Sequence, residues 1–393
     1  MTNILIKIKT LLVEKRFLKA VKNKIYPYLK GFFLLFLSNS KKIKIFLPKK
    51  NSIDRTDILL AERIFNSYKL MKSDQKNKPD FYKPSSLWQN HIDKDFDFLK
   101  KSFEANNLDD FLFFLQNFGN WEKYLGIENQ DLIKRYSRNI FLKKFLSDEM
   151  FYGQYQIWKY FTKEQPNKSN SLNMPNFGNQ NGAFIDNNFV VLGSFFNEIY
   201  SNIVTKLLNT HEHNTIVDIG GGYGKLGYYV LKNLNKSTFI DFDIPEVLVL
   251  ASYYLSKSFP DKKNFFYGEK EFNSENLKNY ELIFLPPWEI EKIKDDTVDV
   301  VMNKNSLGEM KSNTVYNYID HIHRISKYFF SMNHEFFRNE FDDGTTSLIN
   351  KEFNIKGKFK ELIRYPDIGH MSYKNNKIDL DSDIFFYILE KKK

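Results

Sequence analysis

Residues 217–227 read VDIGGGYGKLG, and this stretch decides the fold of the chain. An apolar run with Asp218 near its end leads into a cluster of glycines, and a helical pattern follows at once. Glycine accepts left-handed backbone torsions and lets main-chain N–H groups approach a ligand closely. The segment therefore predicts a strand, a cofactor-binding turn and a helix. The turn consists of Gly220, Gly221, Gly222 and Gly224.

Around this segment, apolar runs of strand length alternate with helical patterns from about residue 190 to residue 389. Such alternation is typical of a parallel sheet with crossover helices, so we expect a Rossmann-like α/β domain with seven strands. The strands are expected at 215–219, 238–242, 281–285, 298–302, 328–332, 359–365 and 384–389. The helices are expected at 192–208, 225–234, 245–257 and 314–326.

The 393 residues exceed the size at which one hydrophobic core usually stops growing, so more than one unit is expected. Residues 1–50 form a basic segment, and residues 51–165 show the helical spacing of an accessory or substrate domain. Residues 166–190 are rich in Asn, Gly, Ser and Pro with little periodicity, which predicts a linker or an active-site loop. Residues 191–393 then form the Rossmann-like domain.

The net charge of +10 is concentrated at the N-terminus, where residues 1–50 carry +12 and leave −2 for the other 343 residues. The body of the protein lacks the basic surface typical of nucleic-acid-binding proteins, so no nucleic-acid partner is expected. Lysines interleave with apolar residues over 4–25. This pattern fits a basic amphipathic helix attached to an anionic membrane surface, or a lysine-rich helix packed on the protein.

The apolar run at 32–37 is far shorter than the roughly 20 residues of a spanning helix, so we predict neither a transmembrane segment nor a signal peptide. The chain has no cysteine, which excludes disulfides, thiolate metal sites and cysteine nucleophiles. A reducing compartment is the default expectation for such a chain. We therefore expect the protein in the cytoplasm, with peripheral contact at the inner membrane surface as an option through residues 1–50.

Spacing alone leaves two cofactors open. Gly222, Gly224 and Gly227 satisfy the G-x-G-x-x-G of dinucleotide sites, and Asp243 follows at about the ~20 residues expected for an acid on the ribose. A dinucleotide turn, however, leaves two surplus glycines and gives Asp218 no role. The ammonium of a methionine tail calls for a nearby carboxylate, which favours S-adenosylmethionine over NAD.

Residues 217–227 resemble motif I of the class I, seven-strand methyltransferases, and FDIPEV at 242–247 resembles the FDLPxV of small-molecule O-methyltransferases. The chain is also similar, over roughly residues 80–340, to a bacterial family of sugar O-methyltransferases, which pairs a helical N-terminal region with this domain. LPPWEI at 285–290 and NKNSLGEM at 303–310 carry that similarity.

The resemblance implies roles for residues at the strand ends. Asp243 would bind both ribose hydroxyls of S-adenosylmethionine, and Asn303 would lie near the cofactor. Trp288 follows the third strand, where this fold lays the adenine ring; stacking on that ring and filling the core are equal alternatives. Asn305 and Ser306 come after the strand end that faces the methyl group, so we expect them to contact the acceptor.

A hydroxyl acceptor needs a base within hydrogen-bond reach. Plant-type O-methyltransferases place a catalytic histidine after the fourth strand, but this sequence has none there. Glu309 is the nearest acid that replaces it, and His334 after the fifth strand is the alternative base; a surface or capping role stays open for each. The acidic pair at 342–343 reads first as a turn, so no metal is predicted.

We therefore expect methyl transfer from S-adenosylmethionine to a hydroxyl oxygen of a sugar, in a surface polysaccharide or its precursor. Aromatic faces pack on the C–H side of a pyranose, and polar groups satisfy its hydroxyls, so Trp88 and His91 are candidate acceptor ligands. A role in the helical bundle is their alternative. An NAD-dependent oxidoreductase, a methyltransferase for a non-sugar small molecule and a cofactor-binding scaffold without catalysis remain as other functions.

Overall fold

The computed structural model describes residues 43–48, 53–120, 123–127, 140–163, 171–208, 212–374, 377–379 and 382–392. The basic segment predicted at 1–50 falls almost wholly outside these residues, and its predicted membrane contact falls outside them too. Among the helices that the structure describes, none combines the length and apolarity needed to cross a membrane.

A small antiparallel sheet joins two distant parts of the chain. Strand β1 (Ile43–Phe46) pairs with β2 (Gly182–Ile185), which forms a hairpin with β3 (Asn188–Val190). Asp186 and Asn187 make the two-residue turn with φ angles of 48° and 67°, torsions that these two residue types tolerate better than most. The segment 166–190, predicted as a linker or an active-site loop, thus contains a hairpin that was not predicted, and the Asp-Asn pair between apolar runs was its signal.

One sheet of eight strands follows. Its strands are β4 (Asn214–Ile219), β5 (Ser237–Phe242), β6 (Asn264–Phe266), β7 (Leu282–Leu285), β8 (Val298–Lys304), β9 (Ser326–His334), β10 (Phe359–Pro366) and β13 (Ile384–Lys391). A separate hairpin consists of β11 (Ser372–Lys374) and β12 (Lys377–Asp379).

The strand order across the large sheet is β10-β13-β9-β8-β4-β5-β7-β6. Neighbouring strands are parallel except at β13, which runs antiparallel to both β9 and β10. The predicted Rossmann-like α/β domain with its seven strands is confirmed. The eighth strand, β6, escaped prediction because three residues are too few for a periodic pattern.

The central strands β4 and β5 are buried along their whole length. Parallel strands covered by helices on both faces are expected to be apolar throughout, as Ile216, Val217 and Ile219 are. Asp218 on β4 and Asp241 on β5 depart from that rule, since each places a carboxylate in the interior.

Helices cover this sheet and form most of the described residues between 53 and 163. The described helices are α1 (Ile58–Gln75), α2 (Ser86–Asp95), α3 (Asp97–Glu104), α4 (Leu108–Asn117), α5 (Ile140–Phe161), α6 (Ser194–Thr205), α7 (Lys225–Lys232), α8 (Pro245–Ser258) and α9 (Ser312–Ile325).

Polar contacts join the helical region to helix α8 of the sheet domain. Lys72 of α1 pairs with the buried carboxylate of Glu246 at 2.7 Å. Asp57, just before α1, accepts hydrogen bonds from Lys257 Nζ at 2.5 Å and from the Tyr253 hydroxyl at 2.7 Å. Because Glu246 and Asp57 are both buried, these contacts fix the position of α1 against the sheet domain.

Two glycines inside helices test how tightly the sheet domain is packed. A Cβ at Gly227 of α7 would come within 2.5 Å of the buried ring of Phe239, whereas a Cβ at Gly153 of α5 meets nothing within 4 Å. Overpacking costs about 1–3 kcal/mol, and alanine gains about 1 kcal/mol over glycine in a helix. We expect Gly227→Ala to lower the free energy of unfolding and Gly153→Ala to raise it, as measured by urea denaturation. A Gly227→Ala variant as stable as Gly153→Ala would contradict this packing.

Candidate active site

A cleft of about 1240 Å³ opens at the carboxyl ends of the central strands, between the sheet domain and the helical region. Ligands of open α/β sheets bind at this edge. Typical ligand pockets measure roughly 300–1,000 Å³, so the cleft has room for a cofactor and a second molecule. Trp88 and Tyr124 line it from the helical region, opposite the glycine turn of the sheet domain.

The glycine turn leads from β4 into α7 and forms one wall of the cleft. Gly220, Gly222 and Gly224 have φ angles of 70°, 64° and 87°, which residues with a Cβ rarely adopt. A Cβ at Gly220 would also lie 2.3 Å from the Ser306 hydroxyl oxygen. The turn therefore needs glycine both for its torsions and for close packing.

Asp243 follows β5 and faces the same turn. Its carboxylate accepts hydrogen bonds from the Gly222 N–H at 3.1 Å and from the Ile244 N–H at 2.7 Å. Burial raises the pKa of Asp243 to about 8; the two amides oppose this rise, and the nearby charges of Asp218 and Glu309 add to it. Each Asp243 oxygen already has one amide donor, and each has a second lone pair that can accept a ligand hydroxyl.

Asp218, near the end of β4, lines the cleft together with Asp243. Burial raises its pKa to about 7, and the positive charge of Lys304 opposes that rise. Its Oδ2 atom is buried without a hydrogen-bond donor among the described residues. Such a carboxylate is suited to a ligand that brings a positive charge or a strong donor.

Glu309 lies in the turn after β8 and connects the two parts of the protein. Its Oε2 accepts a hydrogen bond from the Trp88 indole N–H at 2.7 Å, and its backbone carbonyl accepts one from the Ser85 hydroxyl at 2.9 Å. Burial raises the pKa of Glu309 to about 7, and the bond from Trp88 opposes that rise. A carboxyl with this pKa exchanges protons near neutrality.

His334 ends β9, lines the cleft and has an acidic partner. Its Nδ1 lies 2.5 Å from Oδ2 of Asp383, and Asp383 is itself held by the backbone N–H groups of Phe336 and Phe337. This arrangement fixes the ring and leaves Nε2 for a ligand in the cleft. Asp383 was not among the predicted site residues, although its place just before a predicted strand was a signal.

Asn305 and Ser306, which the sequence predicts to contact the acceptor, both line the cleft. Asn305 adopts a left-handed φ of 62°. The Ser306 hydroxyl donates to the Ile219 carbonyl at 3.0 Å and so links this turn to the end of β4. Both residues are therefore positioned by main-chain geometry at the mouth of the strands.

Three predicted site residues lie outside the cleft, and their proposed contacts need correction. Trp288 is only 4% exposed and packs edge-on against Tyr267, so it fills the core, while the preceding Pro287 lines the cleft. Asn303 is fully buried and holds the strand end through its bond to the Ile219 carbonyl at 2.8 Å. His91 pairs with Asp95 at 3.1 Å behind the cleft wall, and of the two predicted sugar ligands only Trp88 reaches the cavity.

The described residues contain no group of three or more His, Asp or Glu side chains arranged to hold a metal ion. In the acidic pair at 342–343, Asp343 forms an ion pair with Lys311 at 2.5 Å.

No protein-family model and no curated protein sequence matches the chain. Similar solved structures include the mitomycin 7-O-methyltransferase MmcR, at 16% identity over 50% of this chain and 57% of that one, with a TM-score of 0.33. A TehB-like SAM-dependent methyltransferase from Corynebacterium glutamicum has 13% identity over 50% of this chain and 88% of its own, with a TM-score of 0.32. The CurJ carbon methyltransferase has 12% identity over 51% and 55%, with a TM-score of 0.36. The match spans little more than half the length of MmcR and CurJ.

The strand order itself defines the class of fold. A parallel sheet with one antiparallel strand inserted beside its edge, and a ligand cleft at the carboxyl ends of the central strands, is the Rossmann-like arrangement of the class I methyltransferases. The fold that the sequence predicted is thus the fold of this chain.

The buried acids predict how stability depends on pH. Asp218 and Asp243 have pKa values raised to about 7 and about 8, so the folded chain retains protons that the unfolded chain releases near pH 4. The contribution of these raised pKa values to the free energy of unfolding is fully present below about pH 4 and is lost as the pH rises toward about 8.

We expect the free energy of unfolding of the wild type to decline, relative to Asp243→Asn, between about pH 5 and about pH 8. Urea titrations across that range measure the difference. Asp261→Asn, which removes an exposed acid, should track the wild type; a constant difference for Asp243→Asn would contradict the assignment.

Proposed function

We propose that this chain is an S-adenosylmethionine-dependent methyltransferase that acts on a hydroxyl oxygen. The observation that carries the proposal is the arrangement at the ends of β4 and β5. There the Gly222 N–H donates to Asp243 at 3.1 Å, and the second buried acid, Asp218, faces the same cleft. A glycine turn between two such acids matches a ligand that carries a diol and a cationic tail.

The residues present fit this cofactor. Asp243 would accept both ribose hydroxyls through its remaining lone pairs, as the resemblance to class I methyltransferases implies. Asp218 would face the ammonium of the methionine tail, which supplies the positive partner that its buried Oδ2 needs. NAD offers no cation at that position, so it leaves Asp218 uncompensated.

The remaining residues of the cleft supply proton transfer and positioning. S-adenosylmethionine supplies an electrophilic methyl group on a sulfonium sulfur. His334 would accept the acceptor hydroxyl proton at Nε2, while Asp383 orients the ring through Nδ1 and stabilises the imidazolium. Glu309, held by Trp88, would hydrogen-bond another group of the acceptor and so align its oxygen with the methyl carbon.

A sugar is the proposed acceptor, and the sequence resemblance to sugar O-methyltransferases is its main support. The cleft adds the indole of Trp88 and the carboxyl of Glu309 beside the methyl-transfer end. Phe336 and Phe337, next to His334, are 71% and 56% exposed, and the Phe337 ring lies 5.1 Å from the His334 ring. Exposed aromatic faces beside polar groups suit a pyranose. A surface polysaccharide or its precursor is the proposed source of that sugar.

Cofactor binding tests the proposal directly. Isothermal titration should show that S-adenosylhomocysteine binds the full chain and that NAD does not. Hydrogen bonds to a charged acceptor contribute about 1.5–3 kcal/mol each, so Asp243→Asn should weaken binding at least about tenfold while the chain stays folded. Asp261→Asn, an exposed acid, is the matched control and should bind as the wild type does. Binding of NAD without any response to S-adenosylhomocysteine would refute the proposed function.

The assignment of the base is tested by kinetics. A general base contributes about 10²–10⁴-fold, so His334→Gln should lower kcat by at least about a hundredfold without changing cofactor affinity. We expect Asp383→Asn to lower kcat less, and Glu309→Gln to raise the KM for the acceptor more than it lowers kcat. Labelled S-adenosylmethionine with a panel of nucleotide sugars, free glycans and small phenols provides the assay. If Glu309→Gln lowers kcat more than His334→Gln does, Glu309 rather than His334 is the base. If label appears in phenols alone, the acceptor is not a sugar.

A further inference from the structure

Asp241 is a buried acid to which the proposed function assigns no role. It is fully buried on β5, and it does not line the cleft. The backbone N–H of Gly221 lies near its carboxylate and opposes the rise of its pKa, but among the described residues no donor forms a hydrogen bond of normal geometry with either oxygen. A buried carboxylate with so little compensation is costly, so its presence in a central strand calls for an explanation.

Asp241 lies directly beside Asp218. The two residues are register partners on the adjacent parallel strands β5 and β4, so their side chains point to the same face of the sheet. A Cβ on Gly221 would lie 3.0 Å from Asp218 Oδ2 and 3.0 Å from Asp241 Oδ1, which puts these two oxygens at most about 6 Å apart. The missing Cβ of Gly221 is what lets both carboxyls turn toward the glycine loop.

The register partners of Asp218 and Asp241 on the neighbouring strands are uncharged. The register partner of Asp218 on the other side is Met302, and that of Asp241 is Phe284. The charged groups around the pair are Asp243, after β5, and Lys304, at the end of β8. The positive charge of Lys304, which lines the cleft, opposes the rise in the pKa of Asp218, whereas the negative charge of Asp243 raises the pKa of Asp241. The negative charge of Glu309 in turn raises the pKa of Asp243.

We propose that Asp218 and Asp241 share one proton before the cofactor binds, and that the cofactor's ammonium group displaces this proton. Two carboxylates so close in a low-dielectric interior cannot both ionise unless a positive charge joins them. Burial, followed by the charges of Asp218 and Asp243, raises the pKa of Asp241 well above its ordinary value against the opposing effect of the Gly221 N–H, which agrees with this arrangement. The pair titrates as one unit, so the proton belongs to both residues.

The inference rests on the proposed function and adds a positioning residue to it. The ammonium contacts Asp218 at the cleft wall, and Asp241 acts through Asp218 because it does not reach the cavity. When the ammonium binds, the shared proton leaves to solvent and the pair gains one negative charge. Binding of a ligand with the ammonium group is therefore coupled to proton release, whereas binding of the nucleoside part alone is not coupled through this pair.

Proton release can be counted by calorimetry with the full chain. Titrations at about pH 7 in two buffers of different ionisation enthalpy give the number of protons released per ligand bound. S-adenosylhomocysteine carries the ammonium, and 5′-methylthioadenosine keeps the ribose and adenine without it, so the comparison cancels any proton lost by Asp243. We expect S-adenosylhomocysteine to release up to one more proton than 5′-methylthioadenosine. Equal release by the two ligands in the wild type would overturn the inference.

A variant separates this pair from other groups. In Asp241→Asn, Asp218 ionises more readily, so the excess proton release should vanish while S-adenosylhomocysteine still binds. The affinity of the wild type for S-adenosylhomocysteine is expected to increase with pH near neutrality, and the affinity of Asp241→Asn should lack this increase. Asp241→Val, which replaces the acid by a strand-forming apolar residue, should behave in the same way if the amide variant folds poorly. An unchanged excess in either folded variant would refute the role of Asp241, whereas failure of S-adenosylhomocysteine to bind the wild type would instead refute the proposed function.

Discussion

Two neighbouring central strands carry buried carboxylates at their ends, and the rest of the site depends on this electrostatic constraint. Burying an ion costs several kcal/mol unless partners compensate it. Asp243 obtains two backbone amides, but Asp218 and Asp241 lie between apolar register partners. A fold that places such groups at a ligand cleft gives up stability there, and a ligand with matching charge and hydrogen-bond donors recovers it. The glycine turn belongs to the same constraint, because a Cβ at Gly221 would crowd both Asp218 and Asp241.

The helical region completes the cleft and is held in place by polar contacts rather than by a flexible linker. Lys72 pairs with Glu246, and Tyr253 donates to Asp57, so α1 is anchored on α8 next to the cofactor end. Trp88 reaches across the cleft to Glu309. Movement of the helical region would break these bonds. The sheet domain therefore fixes the position of the cleft wall that the helical region supplies.

The features that could be predicted from the sequence are those that depend on main-chain geometry: the strands, the glycine turn and the acid after β5. Strands of six to nine residues have clear apolar patterns, and the glycines and the acid at 243 have roles set by backbone torsions and strand ends. Side-chain direction was not predictable, because Trp288 after β7 and Asn303 near the end of β8 lie beside the cleft yet turn into the core. Partners far apart in sequence were missed for a different reason. Asp383 meets His334 only because β13 pairs antiparallel with β9 and sets Ile384 opposite His334.

The charges around Asp243 support the proposal of His334 rather than Glu309 as the base. Asp243 and Glu309 repel each other when both are ionised, and that repulsion contributes to the raised pKa of Asp243. Ribose hydroxyls that donate to Asp243 would stabilise its ionised form, so its negative charge would in turn favour the protonated form of Glu309. Glu309 would then offer a proton to the acceptor while its other oxygen keeps the bond from Trp88. In the proposed mechanism the role of removing a proton would then fall to His334 on β9, whose ring is oriented by Asp383.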